Sequence, residues 1–584
     1  MRTRATIIFA LLLTFGINGF GQIQRGNGDT LSTENVIIVK EFEPTISNAI
    51  KITDSPKRLD VKPEKMEFDY KFIPTNFQTS YLPDTIKAAR IKGEPLNRLY
   101  RGYAELGMGN YLTTYGKVRL NNTRSRNGRW GVALDHLSSQ GEIDDVPFSG
   151  YSNNSASVYG TRFFKSHQLK GDVNYSRDVH HNYGYPEFFS DSVTYNYDDI
   201  EKDEIKRIYN NLNATAEFAS FHADSQMVNY RFDAEYDYLF TSLDDAVQEH
   251  HLKLNSTFSR YFGSELGVID INADYNDQTI YDSAYNDPNL FVEINPKIEV
   301  KGKKWRAKFG ISAFIENENE TDFRFYPDVF VNYNIYEDYI IPYAGIDGGL
   351  ERVNLNSLRQ TNRFVAPIST VENKNTRYNF YGGVRGAFTS ELSFNLKAAR
   401  KQIANNPFFG VQNMFIPPSV DQIFRDNGTF SVVYDTMNVT QLTAEVSYFH
   451  AEKINATARV DYYSYDPNNF PKAWHMPRFK ATLSGRYNMR DKIIATADIF
   501  AVTDRYAQTL YESNSDEEVA NGIYAQKLPT YVDINLGVEY RYNKKISAFL
   551  KGYNLASIQY NRWMNYPVQR ISVLAGFTYS FWGN

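Results

Sequence analysis

The chain of 584 residues has no cysteine, so neither a disulfide framework nor a thiolate metal site is open to it. Beyond the N-terminus it has no run near the ~18 consecutive apolar residues that a membrane-spanning helix needs. Mean hydropathy is −0.50. That low value does not exclude the membrane, because a transmembrane barrel shows lipid only every second side chain. Charge of one sign is also lacking: 63 Lys and Arg stand against 68 Asp and Glu, a net −5, which gives no electrostatic reason to bind nucleic acid. No Ser-His-Asp order, carboxylate pair or His-x-x-x-His spacing stands out. The chain is therefore not read as an enzyme, and neither cofactor nor resident metal is expected. Tryptophan is scarce, at 5, whereas there are 44 Tyr and 40 Phe. Such residues favour strands and populate the girdles of membrane barrels.

The first 21 residues have the form of a secretory signal peptide. Arg2 and Arg4 precede an apolar core at Ile7–Leu13, and Gly19-Phe20-Gly21 offers a cleavage site before Gln22. Residues 22–99 hold Pro44, Pro56, Pro63, Pro74, Pro83 and Pro95. Proline removes a ladder donor and fixes φ, so this segment is expected to be mostly extended and tied down on something else.

From Tyr100 onward the pattern is one of alternation. At Lys453–Tyr463, Ile454, Ala456, Ala458, Val460 and Tyr462 interleave with Asn455, Thr457, Arg459 and Asp461. Successive strand side chains point to opposite faces. A face charged at every other position cannot meet a protein core without many partners, but it can meet a water-filled lumen while the other face meets lipid. The spacing predicts 22 strands of about 9–11 residues between 100 and 581, joined alternately by short turns and long polar loops. The class is an all-β transmembrane antiparallel barrel. An apolar run at Phe430–Tyr434 is assigned to a long loop, because counting it as a strand would break the alternation.

The C-terminal strands resemble those of the TonB-dependent receptor barrel. Leu528–Tyr540 resembles that family's third-from-last strand. Lys551-Gly552-Tyr553-Asn554-Leu555, followed by Tyr560, resembles its "Asn-Leu … Tyr" strand end. Phe577-Thr578-Tyr579-Ser580-Phe581 resembles its closing strand. The resemblance implies a Gram-negative outer membrane, with short periplasmic turns and long extracellular loops, and the style of sequence is similar to proteins of Bacteroidota. The family's plug domain is well over a hundred residues long, so residues 22–99 would be a reduced plug or a partner-docking region. Thr33–Val39 resembles a TonB box, with Val36, Ile37, Ile38 and Val39 as the strand that a TonB-type coupling protein would capture. The alternative is a strand that pairs within this chain or with a periplasmic or lipoprotein partner. Outer-membrane lipids would be the other partner.

Three roles remain open on the sequence. Substrate uptake is favoured; a non-transport scaffold within an outer-membrane assembly complex and a passive pore are the alternatives. A 22-stranded lumen is wide, so the N-terminal segment, inward-folded loops or a partner is expected to occlude it. His180 and His181 are placed in a long loop. As neighbours on extended chain they point apart and are not read as a metal pair. Asp198, Asp199, Glu201, Asp203 and Glu204 are read as a solvated or lipopolysaccharide-facing acidic loop rather than a Ca²⁺ site.

Overall fold

The computed structural model describes residues 99–185, 200–222, 224, 226–241, 247–280, 288–317, 321–367, 371–411, 428–509, 517–520 and 523–583. The first 21 residues, read as a signal peptide, and the segment 22–98 with Val36–Val39 lie outside them. In chain order the strands are β1 (Tyr100–Gly109), β2 (Thr113–Asn121), β3 (Gly128–Ser139), β4 (Tyr151–Phe163), β5 (His167–His181), β6 (Lys206–Ser220), β7 (Asn229–Thr241), β8 (Val247–Phe262), β9 (Glu265–Ile280), β10 (Asn289–Lys301), β11 (Trp305–Asn317), β12 (Thr321–Tyr333) and β13 (Ile341–Glu351). After one short helix, α1 (Leu355–Thr361), come β14 (Lys374–Ala387), β15 (Leu392–Val411), β16 (Phe430–His450), β17 (Ile454–Pro467), β18 (Phe479–Met489), β19 (Ile493–Thr503), β20 (Arg505–Thr509), β21 (Glu517–Ala520), β22 (Ile523–Leu528), β23 (Tyr531–Arg541), β24 (Ile546–Tyr553), β25 (Asn561–Trp563), β26 (Tyr566–Pro567) and β27 (Ser572–Gly583).

Twenty-two of these strands form one antiparallel sheet closed by β1 against β27, from Tyr100↔Gly583 to Gly109↔Leu574. β20–β22 and the β25–β26 hairpin are small sheets within loops. Closure leaves no free edge where the ends of the chain meet, the condition for a sheet to sit in lipid.

The two faces show which solvent each meets. On β16, Leu442 and Val446 are 49% and 43% exposed, while Thr443 and Glu445 between them are 7% and 9% exposed. Apolar outside and polar inside is the reverse of a soluble sandwich and fits a barrel in hydrocarbon. Phe164, Phe262, Tyr333, Tyr542 and Trp582 ring the outside at the short-turn end. Tyr275, Phe323, Phe380, Tyr462 and Tyr553 are exposed nearer the other end. These are the interfacial girdles.

Inward charges pair across strands. Arg119 grips Asp135 with both carboxylate oxygens at 2.7 and 2.8 Å. Arg231 lies 3.1 Å from Glu217 and 2.9 Å from Asp233. Lys551 on β24 reaches over β27 to Glu105 on β1 at 2.9 Å, bracing the closing seam. Arg119 and Asp135 each keep about a third of their side chain exposed, so a pair of that kind is worth only about 0–1 kcal/mol. Together they fix the lumen's charge pattern rather than its stability.

Strand lengths depart from the expected 9–11 residues. β15 and β16 run for 20 and 21 residues, and β16 begins at Phe430. The apolar run at Phe430–Tyr434 is therefore ladder, paired with Val411–Pro407, and not loop. Twenty-one residues span about 70 Å of chain, which even at a ~45° tilt rises roughly 50 Å, well past the ~30 Å hydrocarbon core. Pairing continues above the membrane because the long loops pack against it. His180 and His181 likewise lie on β5, paired with Arg207 and Lys206, and not in a loop.

One seam is short. β12 and β13 pair only from Val329↔Ile346 to Asn332↔Tyr343, four positions, the fewest of any barrel seam among the described residues. Above that point β13 shifts register through a bulge at Asp347–Gly349 and bears inward onto Phe291, Phe314 and Tyr326, where Leu350 packs. Glycine is required there: a Cβ on Gly348 would strike the Tyr326 ring and the Thr376 carbonyl. The Tyr326 hydroxyl donates to Asn375 Oδ1 on β14 at 2.9 Å, passing behind the displaced strand.

Candidate functional site: a loop cap over the barrel mouth

At the long-loop end, segments from several seams meet over the lumen. The loop between β13 and β14 carries α1. Its start is fixed twice. Asn354 and Ser357 form a capping box, and the Glu249 carboxylate on β8 accepts from the Leu355 and Asn356 amides at 2.7 and 3.0 Å. Just before α1, the Arg352 guanidinium donates to Asp274 Oδ1 at 2.6 Å and to Asn289 Oδ1 at 2.7 Å, and it lies 4.7 Å from the Phe291 ring. These contacts convert a polar loop into a rigid shelf.

The shelf supports an apolar cluster. Leu355, Leu358, Phe364 and Val365 pack with Tyr209, Leu239 and Val247 of β6–β8, with Phe409 and Phe430 of β15 and β16, and with Tyr566 from the loop between β24 and β27. β8 and β16 stand eight strands apart in a ring of 22, almost opposite one another, so this cluster bridges the mouth. Phe364 stacks on Tyr566 at 3.6 Å. Backbone pairing joins the loop to the wall: Ala366 N–H donates to Phe430 O at 2.9 Å, and Phe430 N–H to Phe364 O at 3.0 Å. The Tyr566 hydroxyl bonds the Gly428 carbonyl, and burial holds its pKa well above the usual phenol value. The Tyr183 hydroxyl donates to Pro567 O at 3.1 Å. Three loops, those after β5, β13 and β24, thus share one core with the projecting ends of β15 and β16.

A second cluster, Ile403, Phe408, Met437 and Val439 with Ala473, Trp474 and Ala525, carries the loop between β17 and β18 and the small sheet β20–β22 on the projecting parts of β15 and β16. His475 sits between the clusters, 5.5 Å from Phe430 and 4.9 Å from Trp563. Its Nε2 accepts from Met564 N–H at 3.2 Å. Burial, aided by the Arg505 charge, lowers its pKa to about 3. Arg505 itself donates to the carbonyls of Asn561 and Arg562, each at 2.9 Å, and so fixes the backbone of β25.

Between the cap and the wall at β3–β5 lies a cavity of about 500 Å³. Tyr151, Asn153, Asp178 and His180 line it from the wall; Arg359, Arg363 and Arg562 face it from the cap. Arg359 Nη1 donates to Asp178 at 2.7 Å. His180 stacks on Tyr209, and His181 Nδ1 meets the Gly150 carbonyl at 2.6 Å, so the two rings serve different neighbours. Of the acidic cluster, Asp198 and Asp199 lie outside the described residues, and Asp203 pairs with Lys206 at 3.3 Å. Among the described residues no group of three His, Asp or Glu side chains has metal-ligand geometry.

The sequence reading did not find the three arginines or α1. They sit singly in polar loops, and only the fold brings residues 359, 363 and 562 together.

No family model matches the chain, and no curated protein matches it in sequence. Solved structures do match in fold. The pyoverdine outer membrane receptor FpvA of Pseudomonas aeruginosa, bound to pyoverdine, aligns at 12% identity over 84% of this chain and 79% of its own, with a TM-score of 0.60. The ferric-catecholate import receptor Fiu of E. coli K12 aligns at 11% over 83% and 82%, at 0.58. The FrpB iron transporter of Neisseria meningitidis, F5-1 variant, aligns at 11% over 83% of each, at 0.62. At such identity the likeness is one of fold: this chain has the barrel of outer-membrane receptors.

Proposed function

We propose that this chain is a receptor-like barrel of the Gram-negative outer membrane that takes up a substrate, of the TonB-dependent kind. The observation that carries the reading is the cap. Three loops and the projecting ends of β15 and β16 meet over the wide mouth on a common apolar core, with a polar cavity beneath. A passive pore has no use for such a closure; a receptor needs to enclose its ligand before the ligand descends a charged lumen. The barrel fold shared with FpvA, Fiu and FrpB supports the reading. On this view residues 22–99 are the reduced plug, and Val36, Ile37, Ile38 and Val39 form the strand captured by a coupling protein through β-augmentation.

The test is a strain in which Ile37 and Ile38 are both replaced by proline, which removes two ladder donors. Uptake predicts a folded barrel in the outer membrane with loss of growth on at least one limiting nutrient. Unchanged growth and accumulation on every nutrient tried, with the protein recovered in a stoichiometric complex, would replace uptake by the scaffold role.

A further inference from the structure

The cavity beneath the cap has an unbalanced charge. Three guanidiniums face it, and one carboxylate, Asp178, answers them. Asp178 is committed to Arg359 at 2.7 Å. Among the described residues, Arg363 and Arg562 form no ion pair. Arg363 rests 5.9 Å from the Tyr151 ring. It and Arg562 are both exposed to the open space, so an anion can reach both guanidiniums. Like charges facing one space favour a counter-charge between them.

Beneath them Arg359 and His180, 9% and 4% exposed, form part of the cavity lining. The arginines are also held in place. Arg359 lies on α1, which Glu249 and Asn354 anchor. The carbonyl of Arg562 is held by Arg505. Planar guanidiniums in fixed positions grip carboxylate and phosphate oxygens in pairs, which an ammonium cannot do. The volume, about 500 Å³, falls in the ~300–1,000 Å³ range of small-molecule sites. Tyr183, Phe364 and Trp563 supply aromatic lining beside the charges.

We propose that this cavity is a binding site for a small, multiply charged oxyanion, a carboxylate or phosphate compound, gripped by Arg363 and Arg562 with Arg359 as the third contact. The proposal deepens the uptake reading by naming the class of ligand. The aromatic wall suits a ligand with an apolar or ring-bearing body attached to the anionic group. The oxyanion could be carried by a free solute or by a lipid headgroup.

The test uses the intact mature chain in nanodiscs, with citrate and inorganic pyrophosphate as probes and spermidine as the cationic control, followed by isothermal titration calorimetry. One or both anions should bind and spermidine should not. Arg363→Gln and Arg562→Gln should each weaken binding at least tenfold, and the double variant should abolish it. Arg363→Lys should recover only part, because charge returns without the fork. Arg570→Gln, an exposed arginine on the same loop that bonds Gln559, should change nothing. Persistence of the folded, heat-modifiable band on gels shows that each variant retains the barrel. Discs of phosphatidylcholine and of phosphatidylglycerol separate the sources. Equal affinity in both assigns the site to a free solute; weaker binding in the anionic discs assigns it to a competing headgroup phosphate. No binding of either anion, or equal binding by the folded double glutamine variant, overturns the proposal. Binding that is intact in a protein whose proline-substituted strand leaves all uptake unchanged would spare the site and sink the uptake reading alone.

Discussion

If three loops share one core, removing a single aromatic from it should open the cap and leave the barrel closed. Tyr566 is the residue to remove. It is 1% exposed, stacks on Phe364 at 3.6 Å, meets Tyr183 edge-on at 4.8 Å, and fits so closely against Gly184 that a Cβ there would strike its ring. Truncating a buried aromatic to alanine costs about 3–5 kcal/mol. The cap is a local unit, so the cost should fall on its closing equilibrium and not on the barrel, whose ladder is independent of it. The readout is amide hydrogen exchange at Ala366 and Phe430, whose N–H groups close the cap against the wall. At about 1.4 kcal/mol per tenfold, a loss of ~3 kcal/mol speeds their exchange roughly 150-fold. Tyr566→Phe removes only the hydroxyl bond to Gly428, worth about 1 kcal/mol, and should speed exchange roughly fivefold. Amides deep in β16, such as Thr443 and Glu445, should not change. Unaltered exchange at Ala366 and Phe430 in Tyr566→Ala, or an equal loss of protection throughout β16, would refute the idea of a cap that opens by itself.

Further outcomes follow from the same contacts. Arg352→Met strips the buried Asp274 of its closest cation and should cost about 3–5 kcal/mol of cap stability; adding Asp274→Asn should return part of it, as a double-mutant cycle on α1 protection would show. His475 is neutral in the fold, with its pKa lowered to about 3, whereas the unfolded side chain takes a proton near pH 6.5. The opened cap therefore binds more protons between those values, so closure weakens as pH falls from about 6.5 toward 3; exchange at Met564 should rise over that window, and His475→Gln should flatten the dependence. At the short seam, amides of β12 that face the displaced upper half of β13, from Phe323 to Asp328, should exchange markedly faster than those of Ile311–Ile315 on β11. Equal protection on the two strands would mean that the seam is closed in the membrane.

The barrel was legible because its signal is redundant. Each strand repeats the same parity, so misplacing one boundary does not alter the count, and the faces of β27 on β1 follow from the alternation Val573, Ala575, Phe577, Tyr579, Phe581, though the register does not. What parity cannot report is where pairing stops. The run beginning at Phe430 is legible as β-forming, but as a separate strand it would break the alternation of short and long connections, and parity does not show that it extends β16 instead. In fact β15 and β16 continue above the bilayer, where Phe408, Met437 and Val439 bury themselves under the loop that carries Trp474. His180 lies beyond the expected end of its strand at 176 because β5 likewise continues, to His181. α1 has only seven residues, too few for a helical period to show, and its start is fixed by Glu249, which lies over a hundred positions away in sequence.

The cap is a different kind of burial from the barrel. Outward residues of the wall gain by meeting lipid, so their apolar character is written at every second position. Cap residues gain by meeting one another across the ring, so a few side chains in each element suffice: Phe364 and Val365 in one loop, Tyr566 in another, Phe430 at the projecting end of β16. A core divided among separate elements can come apart without unfolding the barrel, because its parts are held to the wall at different places: Arg352 on Asp274 holds the α1 loop, and the ladder holds the ends of β15 and β16. A lid that opens and recloses needs that property. A permanent stopper does not, and a continuous apolar plug would be the simpler way to build one. The division of a single core among three loops and two strand ends is therefore a physical argument for a cap that can open.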